Sequence, residues 1–247
     1  MQLLWKVKMN LKNKTIIITG ASRGIGREIC ALLGKEGANV VAVSRTKATV
    51  TKLIEDNCSC KANWVKADVT NEKLMENVFK YAKKKFKRID GVINNAGILV
   101  SKPIDKTTYK EYNQLMKVNV GGTFTGCKLA EKYMKKGVIV NASSDVGLPH
   151  HGKPNLSAYV ASKFAIIGLT ESLAKEFKPN IKVYAVCPHS VATGMSNFKG
   201  NSPVLIAQTY IKVLKEKAGI KSGRHIVAGT LKDANKDWKG KVPTVKL

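Results

Sequence analysis

The chain has 247 residues, 44% of them hydrophobic, and a formal net charge of +26 at pH 7. This length and composition predict a single domain over residues 1–247, with an N-terminal extension at 1–10 and a polar C-terminal tail at 230–247. No stretch approaches the roughly 18 uninterrupted apolar residues of a membrane-spanning helix, and the short, charged start is unlike a signal peptide, so we expect a cytoplasmic protein with no membrane partner.

The positive charge is spread over both halves of the chain and comes almost wholly from lysine, with only five arginines among 43 basic residues. Diffuse lysine charge without a recognised motif is typical of a solvated surface, so we expect no specific nucleic-acid partner.

The five cysteines include one close pair, Cys58 and Cys60, with no second Cys or His pair at ligand spacing. We therefore expect free thiols and no metal site.

Short β-rich runs alternate with longer helical patterns along the chain, which is the rhythm of βαβ units. The pattern predicts strands at 14–19, 39–43, 63–67, 89–94, 137–142, 181–186 and 224–228. It predicts helices near 24–35, 47–57, 71–87, 108–135, 157–178 and 202–218. Because the strands are mostly apolar, the predicted fold class is α/β: a Rossmann-like, doubly wound, mostly parallel seven-stranded sheet with helices on both faces.

A glycine-rich turn follows the first predicted strand and opens directly into the first predicted helix. Glycine lets the backbone turn tightly and approach a pyrophosphate, and the helix N-terminus offers free amides to the anion. The turn therefore predicts a nucleotide site. Its candidate residues are Gly20, Ser22, Arg23, Gly24, Ile25 and Gly26.

The end of the second predicted strand indicates which nicotinamide cofactor binds. In such folds an acidic residue here binds the ribose 2′-hydroxyl of NAD, whereas a nearby arginine accommodates the 2′-phosphate of NADP. The sequence has Ser44 and Arg45 at this point and no carboxylate, and Arg23 can approach the phosphate from the other side. We therefore expect NADP(H) to be preferred over NAD(H). The alternative is that both arginines are ordinary surface cations.

Three motifs, in order along the chain, carry a resemblance to a known family: Thr19-Gly20-x-x-x-Gly24-x-Gly26, Asn94-Asn95-Ala96-Gly97 and Tyr159-x-x-x-Lys163. From about Leu11 to Ala228 the chain resembles the short-chain dehydrogenase/reductase family. The resemblance implies a nicotinamide cofactor, a small-molecule carbonyl or alcohol substrate, and a homodimer or homotetramer.

Tyr159 and Lys163 are four residues apart in a predicted helix, so both side chains project from one face. Hydride transfer to a carbonyl needs a proton donor, and a free tyrosine has a pKa near ~10. A cation about 4 Å away contributes about 4 kcal/mol at an effective dielectric of ~20, which is up to roughly three pKa units. Before screening and desolvation are counted, the charge of Lys163 is therefore enough to bring the pKa of Tyr159 toward neutrality. The resemblance implies that Tyr159 and Lys163 are also cofactor-binding residues, with Lys163 on the nicotinamide ribose.

The resemblance also implies the other catalytic residues. The family serine, which polarises the substrate oxygen, commonly stands three residues before a glycine, as Ser144 does before Gly147; Ser143 stays open as the alternative. Asn119 matches the family asparagine that holds a water in the proton relay from the lysine, and its alternative is a structural residue at a helix kink.

Further positions match family segments that contact the cofactor. They are Asp68, Val69, Asn95, Ala96, Gly97, Pro188, Val191 and Thr193. The family glycine after Pro188 is His189 here, which brings a side chain to where the backbone usually passes close to the nicotinamide. His189 either faces the substrate or is a loop histidine without a ligand role.

These expectations together describe an NADP(H)-dependent ketone/aldehyde or 3-oxoacyl reductase. An NAD(P)-dependent alcohol dehydrogenase is the alternative among enzymes. A catalytically silent, nucleotide-sensing regulatory protein is the alternative from another class.

Overall fold

The computed structural model describes residues 10–57, 61–215 and 221–228, apart from the side chains of residues 53 and 55–57. The predicted tail at 230–247, most of the predicted extension at 1–10, and the pair Cys58 and Cys60 lie outside the described residues. Within these ranges, strands and helices alternate along the chain. The strands are β1 (Thr15–Thr19), β2 (Asn39–Ser44), β3 (Ala62–Lys66), β4 (Gly91–Asn94), β5 (Gly137–Ala142), β6 (Ile181–Pro188) and β7 (His225–Ala228). The helices are α1 (Gly24–Lys35), α2 (Val50–Asn57), α3 (Glu72–Phe86), α4 (Tyr109–Met116), α5 (Gly122–Tyr133), α6 (Ser157–Glu176) and α7 (Pro203–Leu214).

The seven strands form one sheet in the order β3-β2-β1-β4-β5-β6-β7, and every neighbouring pair is parallel. The predicted Rossmann-like fold is therefore confirmed, with a sheet that is parallel throughout rather than mostly so. The strand order reverses between β1 and β4, and in open α/β sheets ligands bind at the carboxyl ends of the strands at such a point. The turn after β1 and the loop after β4 both lie there.

Both faces of the sheet are buried, which explains the unbroken apolar runs in the strands. In β1, Ile16 and Ile18 join one core cluster together with Leu33 of α1 and Tyr210 of α7. Ile17, between them, joins the cluster on the opposite face. All three isoleucines are fully buried, and full burial of such a side chain contributes roughly 1.5–3 kcal/mol. The strand centre thus anchors the helices of both layers.

The predicted helix at 108–135 differs most from the structure, because a π-helical segment at Lys117–Gly121 separates α4 from α5. The segment contains Asn119, which is fully buried and bonds with both its side-chain atoms to the backbone of Ile98. A π turn widens the helix by one residue and commonly marks a functional site. Here it turns the Asn119 side chain toward the loop after β4.

Strand β6 also runs two residues further than predicted, through Pro188, because Cys187 and Pro188 pair with Val227 and Ala228 of β7.

No helix within the described ranges combines the length and apolar character needed to cross a bilayer.

Candidate active site

The turn between β1 and α1 is closed tightly by its glycines. Gly20 has φ +69°, and a Cβ added at Gly26 would lie only 2.2 Å from the Gly20 carbonyl oxygen. The Asn95 side chain braces the turn, since its Nδ2 donates to the carbonyl oxygen of Thr19 at 3.1 Å. The backbone N–H groups of Asn95 and Ala96 both donate to Thr19 Oγ1, at 3.0 and 3.1 Å. The turn and the loop after β4 therefore form one rigid unit.

The N-terminus of α1 suits an anionic group. Its first turn contains no acidic residue, and the Arg23 side chain makes no capping hydrogen bond there. The free amides and the partial positive charge of a helix N-terminus favour a phosphate. The residues present therefore fit the pyrophosphate of a nicotinamide cofactor. Ser22 and Ile25 lie in the same turn, and Ile25 packs against the core beneath it.

Two arginines flank this edge of the sheet. Arg23 and Arg45 are exposed, and within the part of the chain that the structure describes neither forms an ion pair within 4.0 Å. Arg45 comes directly after β2. Its charge also reaches Asp68: burial alone would raise the pKa of Asp68, but hydrogen bonds from Thr70 and the charges of Arg45 and Lys117 lower it.

Other predicted cofactor residues hold the local structure together. The Ser44 hydroxyl donates to the carbonyl oxygen of Thr46 at 2.6 Å and accepts from Trp64 Nε1 at 3.0 Å. The Asp68 carboxylate accepts from the backbone and hydroxyl of Thr70, at 2.9 and 2.8 Å. Val69 is buried against α5, where a Cβ on Gly122 would lie 2.8 Å from its Cγ2.

Tyr159 and Lys163 lie one turn apart on α6, with Lys163 Nζ 5.4 Å from the centroid of the Tyr159 ring. Lys163 is buried, and its Nζ donates to the carbonyl oxygen of Ala142 at the end of β5, at 2.8 Å. Burial lowers the pKa of Lys163 to about 8. A buried lysine at neutral pH is thus still charged but releases its proton readily.

Burial raises the pKa of Tyr159 to about 12; the Ser144 hydroxyl opposes this effect and the charge of Asp145 adds to it. Lys163 Nζ donates one hydrogen bond to the Ala142 carbonyl oxygen. The sequence-based sum left out desolvation, which is the largest cause in the structure and raises the pKa of Tyr159. Tyr159 is consequently protonated at neutral pH.

The two serines after β5 have different surroundings. Ser143 is buried behind the site, where its hydroxyl donates to the backbone carbonyl of Lys163 at 2.8 Å. Ser144 is the serine that interacts with the Tyr159 hydroxyl. Its Oγ donates to Asp145 Oδ1 at 2.9 Å.

Asn119 connects the loop after β4 to α6. Its Oδ1 accepts from the backbone N–H of Ile98 at 2.8 Å, and its Nδ2 donates to Ser162 Oγ at 3.1 Å. A Cβ on Gly97 would lie 3.3 Å from Asn119 Oδ1 and 3.8 Å from Lys163 Nζ. Gly97 thus lets the loop approach the lysine closely.

The segment after β6 closes the other side of the site. A Cβ on Gly24 would lie 3.1 Å from Thr193 Cγ2, so this segment packs against the glycine turn. Val191 is buried and pairs with Asn201. The carbonyl oxygen of Pro188 lies 3.4 Å from Ser144 Oγ. The predicted residues of three distant segments therefore meet at one edge of the sheet.

Sequence reasoning missed Asp145, which bonds both to Ser144 and to His189. A carboxylate directly after the candidate serine, together with a histidine in place of the family glycine, was the available signal. No group of three or more His, Cys, Asp or Glu side chains suitable for a metal lies within the described ranges.

Comparison with known proteins agrees with this geometry. Residues 14–203 match the family model for short chain dehydrogenases. The chain is 35% identical over 190 residues to a 3beta-hydroxysteroid dehydrogenase of Mediterraneibacter gnavus, covering 74% of this chain and 68% of that protein. It is 34% identical over 194 residues to the 3-oxoacyl-[acyl-carrier-protein] reductase FabG of Thermotoga maritima, covering 76% and 78%. A short chain dehydrogenase from Burkholderia cenocepacia J2315, solved in complex with NADP, superposes with a TM-score of 0.82 at 25% identity over 89% of this chain and 97% of that one.

The protein belongs to the short-chain dehydrogenase/reductase family, as the sequence motifs predicted. It is an oxidoreductase, and its family uses a nicotinamide cofactor to act on small-molecule substrates.

Proposed function

We propose that the protein is an NADP(H)-dependent reductase of ketones, aldehydes or 3-oxoacyl compounds, with Asn119, Ser144, Tyr159 and Lys163 as its catalytic residues. The observation that carries this proposal is the grouping of the Tyr159 phenol, the Ser144 hydroxyl and the buried Lys163 at the cofactor edge of the sheet. The same phenol is the acid when a carbonyl is reduced and the base when an alcohol is oxidised, so the direction is proposed from the expected preference for NADP(H).

The bound nicotinamide cofactor supplies the hydride. Ser144 orients the substrate oxygen by donating a hydrogen bond, and Tyr159 transfers its phenolic proton to that oxygen. The resulting phenolate lies within reach of the Lys163 ammonium, which stabilises it by its charge. Because its pKa is about 8, Lys163 can also pass a proton back to Tyr159. Asn119 fixes the loop that approaches Lys163, and we keep for it the proposed role of holding a relay water.

Two exposed arginines support a preference for NADP(H): Arg23 at the start of α1 and Arg45 directly after β2, neither of them in an ion pair within the described residues. Position 45 carries this arginine where an NAD-binding fold has an acidic residue for the ribose 2′-hydroxyl. The solved relative from Burkholderia cenocepacia is a complex with NADP, which supports the same choice. The proposed cofactor contacts are those predicted from the sequence, including Asp68, Val69, Asn95, Pro188, Val191 and Thr193.

A homo-oligomer is the second part of the proposal. Helices α4, α5 and α6 leave large apolar side chains exposed, namely Tyr109, Tyr112, Phe124 and Phe164. Exposed apolar side chains in such numbers favour an interface with another chain. Analytical ultracentrifugation tests this directly, and a species of 26.9 kDa alone would contradict it.

We also expect a cytoplasmic protein, which the free, buried thiols of Cys30, Cys127 and Cys187 support.

The experiment that tests the cofactor and the class together is a fluorescence titration with NADPH and NADH, followed by turnover of a carbonyl panel. We expect NADPH to bind at least about tenfold tighter than NADH, and Arg45→Ala to remove that difference. Arg224→Ala is the matched control, because Arg224 is exposed and precedes β7 at the opposite edge of the sheet. Nucleotide binding without turnover of any carbonyl or alcohol would favour the sensor alternative, and turnover of alcohols alone would favour the dehydrogenase alternative.

A further inference from the structure

A chain of polar contacts runs from His189 through Asp145 to Ser144. His189 Nδ1 lies 2.9 Å from Asp145 Oδ2, and Ser144 Oγ donates to Asp145 Oδ1 at 2.9 Å. The backbone N–H of Val146 donates to the same Oδ1, also at 2.9 Å. Asp145 is only 6% exposed. Because both of its oxygens have hydrogen-bond partners, this carboxylate has a fixed orientation and accepts a hydrogen bond directly from Ser144.

Ser144 has a single hydroxyl hydrogen, and Asp145 Oδ1 at 2.9 Å is a closer acceptor for it than the Pro188 carbonyl oxygen at 3.4 Å. To polarise a substrate oxygen, the hydroxyl must turn this hydrogen away from the carboxylate. A hydrogen bond to a charged acceptor is roughly twice as strong as a hydrogen bond to a neutral one. The role proposed for Ser144 therefore depends on how much negative charge Asp145 keeps on Oδ1.

His189 is placed to change that charge. A donor on Oδ2, and above all a protonated imidazole, withdraws negative charge from the carboxylate and weakens its hold on Ser144. We propose that His189 is a positioning residue which, through Asp145, controls whether the Ser144 hydrogen stays on the carboxylate or turns to the substrate oxygen. The proposal rests on the proposed function, in which Ser144 orients the substrate oxygen.

The fold holds His189 in place for this contact. Its backbone N–H donates to the carbonyl oxygen of Ala228 at 2.8 Å, directly beyond the pairing of β6 with β7. Where the family has glycine, no side chain would reach Asp145 from this position. The cation next in distance from Oδ2 is Lys153, at 3.9 Å and on an exposed side chain.

The other titratable groups around Asp145 come from neighbouring elements. Tyr159 faces it from α6, and the charge of Asp145 adds to the burial that raises the pKa of Tyr159. Cys187 faces it from β6. Burial is the main cause that raises the pKa of the Cys187 thiol, and the charge of Asp145 adds to it. The charge of Lys163 lowers the pKa of the same thiol. Among these groups, only the histidine meets the carboxylate at hydrogen-bond distance.

The test measures NADPH-dependent carbonyl reduction from pH 5 to 8.5 in the wild type, His189→Gln, Asp145→Asn and the double variant. The two proteins are compared as a ratio of kcat/KM at each pH, because any effect of Lys163 is common to both. Gln keeps an amide donor but cannot be protonated, so we expect His189→Gln to have about tenfold lower kcat/KM at pH 6 and a pH dependence that differs from that of the wild type. His151→Gln is the matched control, since His151 is an exposed loop histidine, and Lys153→Met removes the more distant cation.

The double variant separates positioning from a general loss of structure. If His189 acts only through Asp145, the double variant is expected to resemble Asp145→Asn alone, with losses that do not add. [15N]Histidine spectra at pH 8 give a readout independent of turnover: we expect the Nδ1–H tautomer of His189 in the wild type and its loss in Asp145→Asn.

Additive losses, a wild-type profile in His189→Gln, or an Nε2–H tautomer in the wild type would each overturn the inference while leaving carbonyl reduction in place. A wild type that reduces no carbonyl would instead overturn the proposed function, and the inference with it.

Discussion

Gly26→Ala tests whether the turn after β1 is as tightly closed as the geometry indicates. The added methyl group would lie 2.2 Å from the carbonyl oxygen of Gly20 and 2.7 Å from Asn95 Nδ2. A backbone carbonyl cannot move aside as a flexible side chain can, so either the turn opens or α1 shifts. Overpacking of this kind costs about 1–3 kcal/mol, and a contact this short belongs at the upper end of that range.

Gly168→Ala is the matched control for this change. Gly168 also lies in a helix, α6, but a Cβ there would meet nothing within 4 Å. Replacing glycine by alanine inside a helix stabilises it by about 0.5–1 kcal/mol, and this gain applies to both variants. The difference between their free energies of unfolding therefore isolates the steric clash, and we expect it to be at least about 2 kcal/mol.

Urea denaturation of both variants measures this difference, and fluorescence titration with NADPH measures the effect on the site. Because the opened turn no longer directs its amides at one point, Gly26→Ala is expected to weaken NADPH binding at least about tenfold. Equal stability of the two variants would refute the tight closure of this turn. Unchanged NADPH affinity in Gly26→Ala would refute the assignment of the turn as the pyrophosphate site.

Three further predictions concern the chemistry. Ser144→Ala is expected to lower kcat for carbonyl reduction by about 100-fold. Ser143→Ala is expected to lower the free energy of unfolding by about 1–3 kcal/mol, because the Lys163 carbonyl loses the buried hydroxyl that donates to it. Steady-state kinetics and urea denaturation distinguish the two variants, and the reverse pattern would make Ser143 the catalytic serine. The kcat for reduction is expected to fall as pH rises through about 8, because Lys163 then loses the proton that it passes to Tyr159; a pH profile that is flat to pH 9.5 would contradict this. Asn119→Ala is expected to raise the proteolytic susceptibility of the loop after β4, because both hydrogen bonds between Asn119 and Ile98 are lost. A digestion rate equal to that of the wild type would contradict the role of Asn119 in fixing this loop.

The fold was largely predictable because its strands are buried on both faces. The run from Ile16 to Ile18 has no alternation, as a central parallel strand requires, and the glycines of the following turn mark the β1–α1 junction. The π segment at Lys117–Gly121 was not predictable, since a helix widened by one residue has nearly the same apolar periodicity. The segment accompanies a tertiary contact of Asn119 with Ile98, which spacing along the chain does not reveal.

The site shows the same division between local and long-range information. Helical spacing correctly put Tyr159 and Lys163 one turn apart, but it could not show that Lys163 Nζ is directed to the Ala142 carbonyl or how deeply the phenol is buried. The sequence offered Ser143 and Ser144 as neighbouring candidates, and only the structure shows that their hydroxyls bond to different partners. The contact of Asp145 with His189 joins residues 44 positions apart and depends on where β6 ends.

In the proposed function, Tyr159 donates the proton in a reduction that uses NADPH. Rapid mixing of the NADPH-bound protein with a panel of ketones, aldehydes and 3-oxoacyl thioesters tests this role, because the loss of NADPH absorbance can be followed in the wild type and in Tyr159→Phe. We expect both proteins to bind NADPH, and Tyr159→Phe to oxidise it at least about 100-fold more slowly because it has no phenolic proton to donate. Equal rates of NADPH oxidation in the two proteins would contradict it.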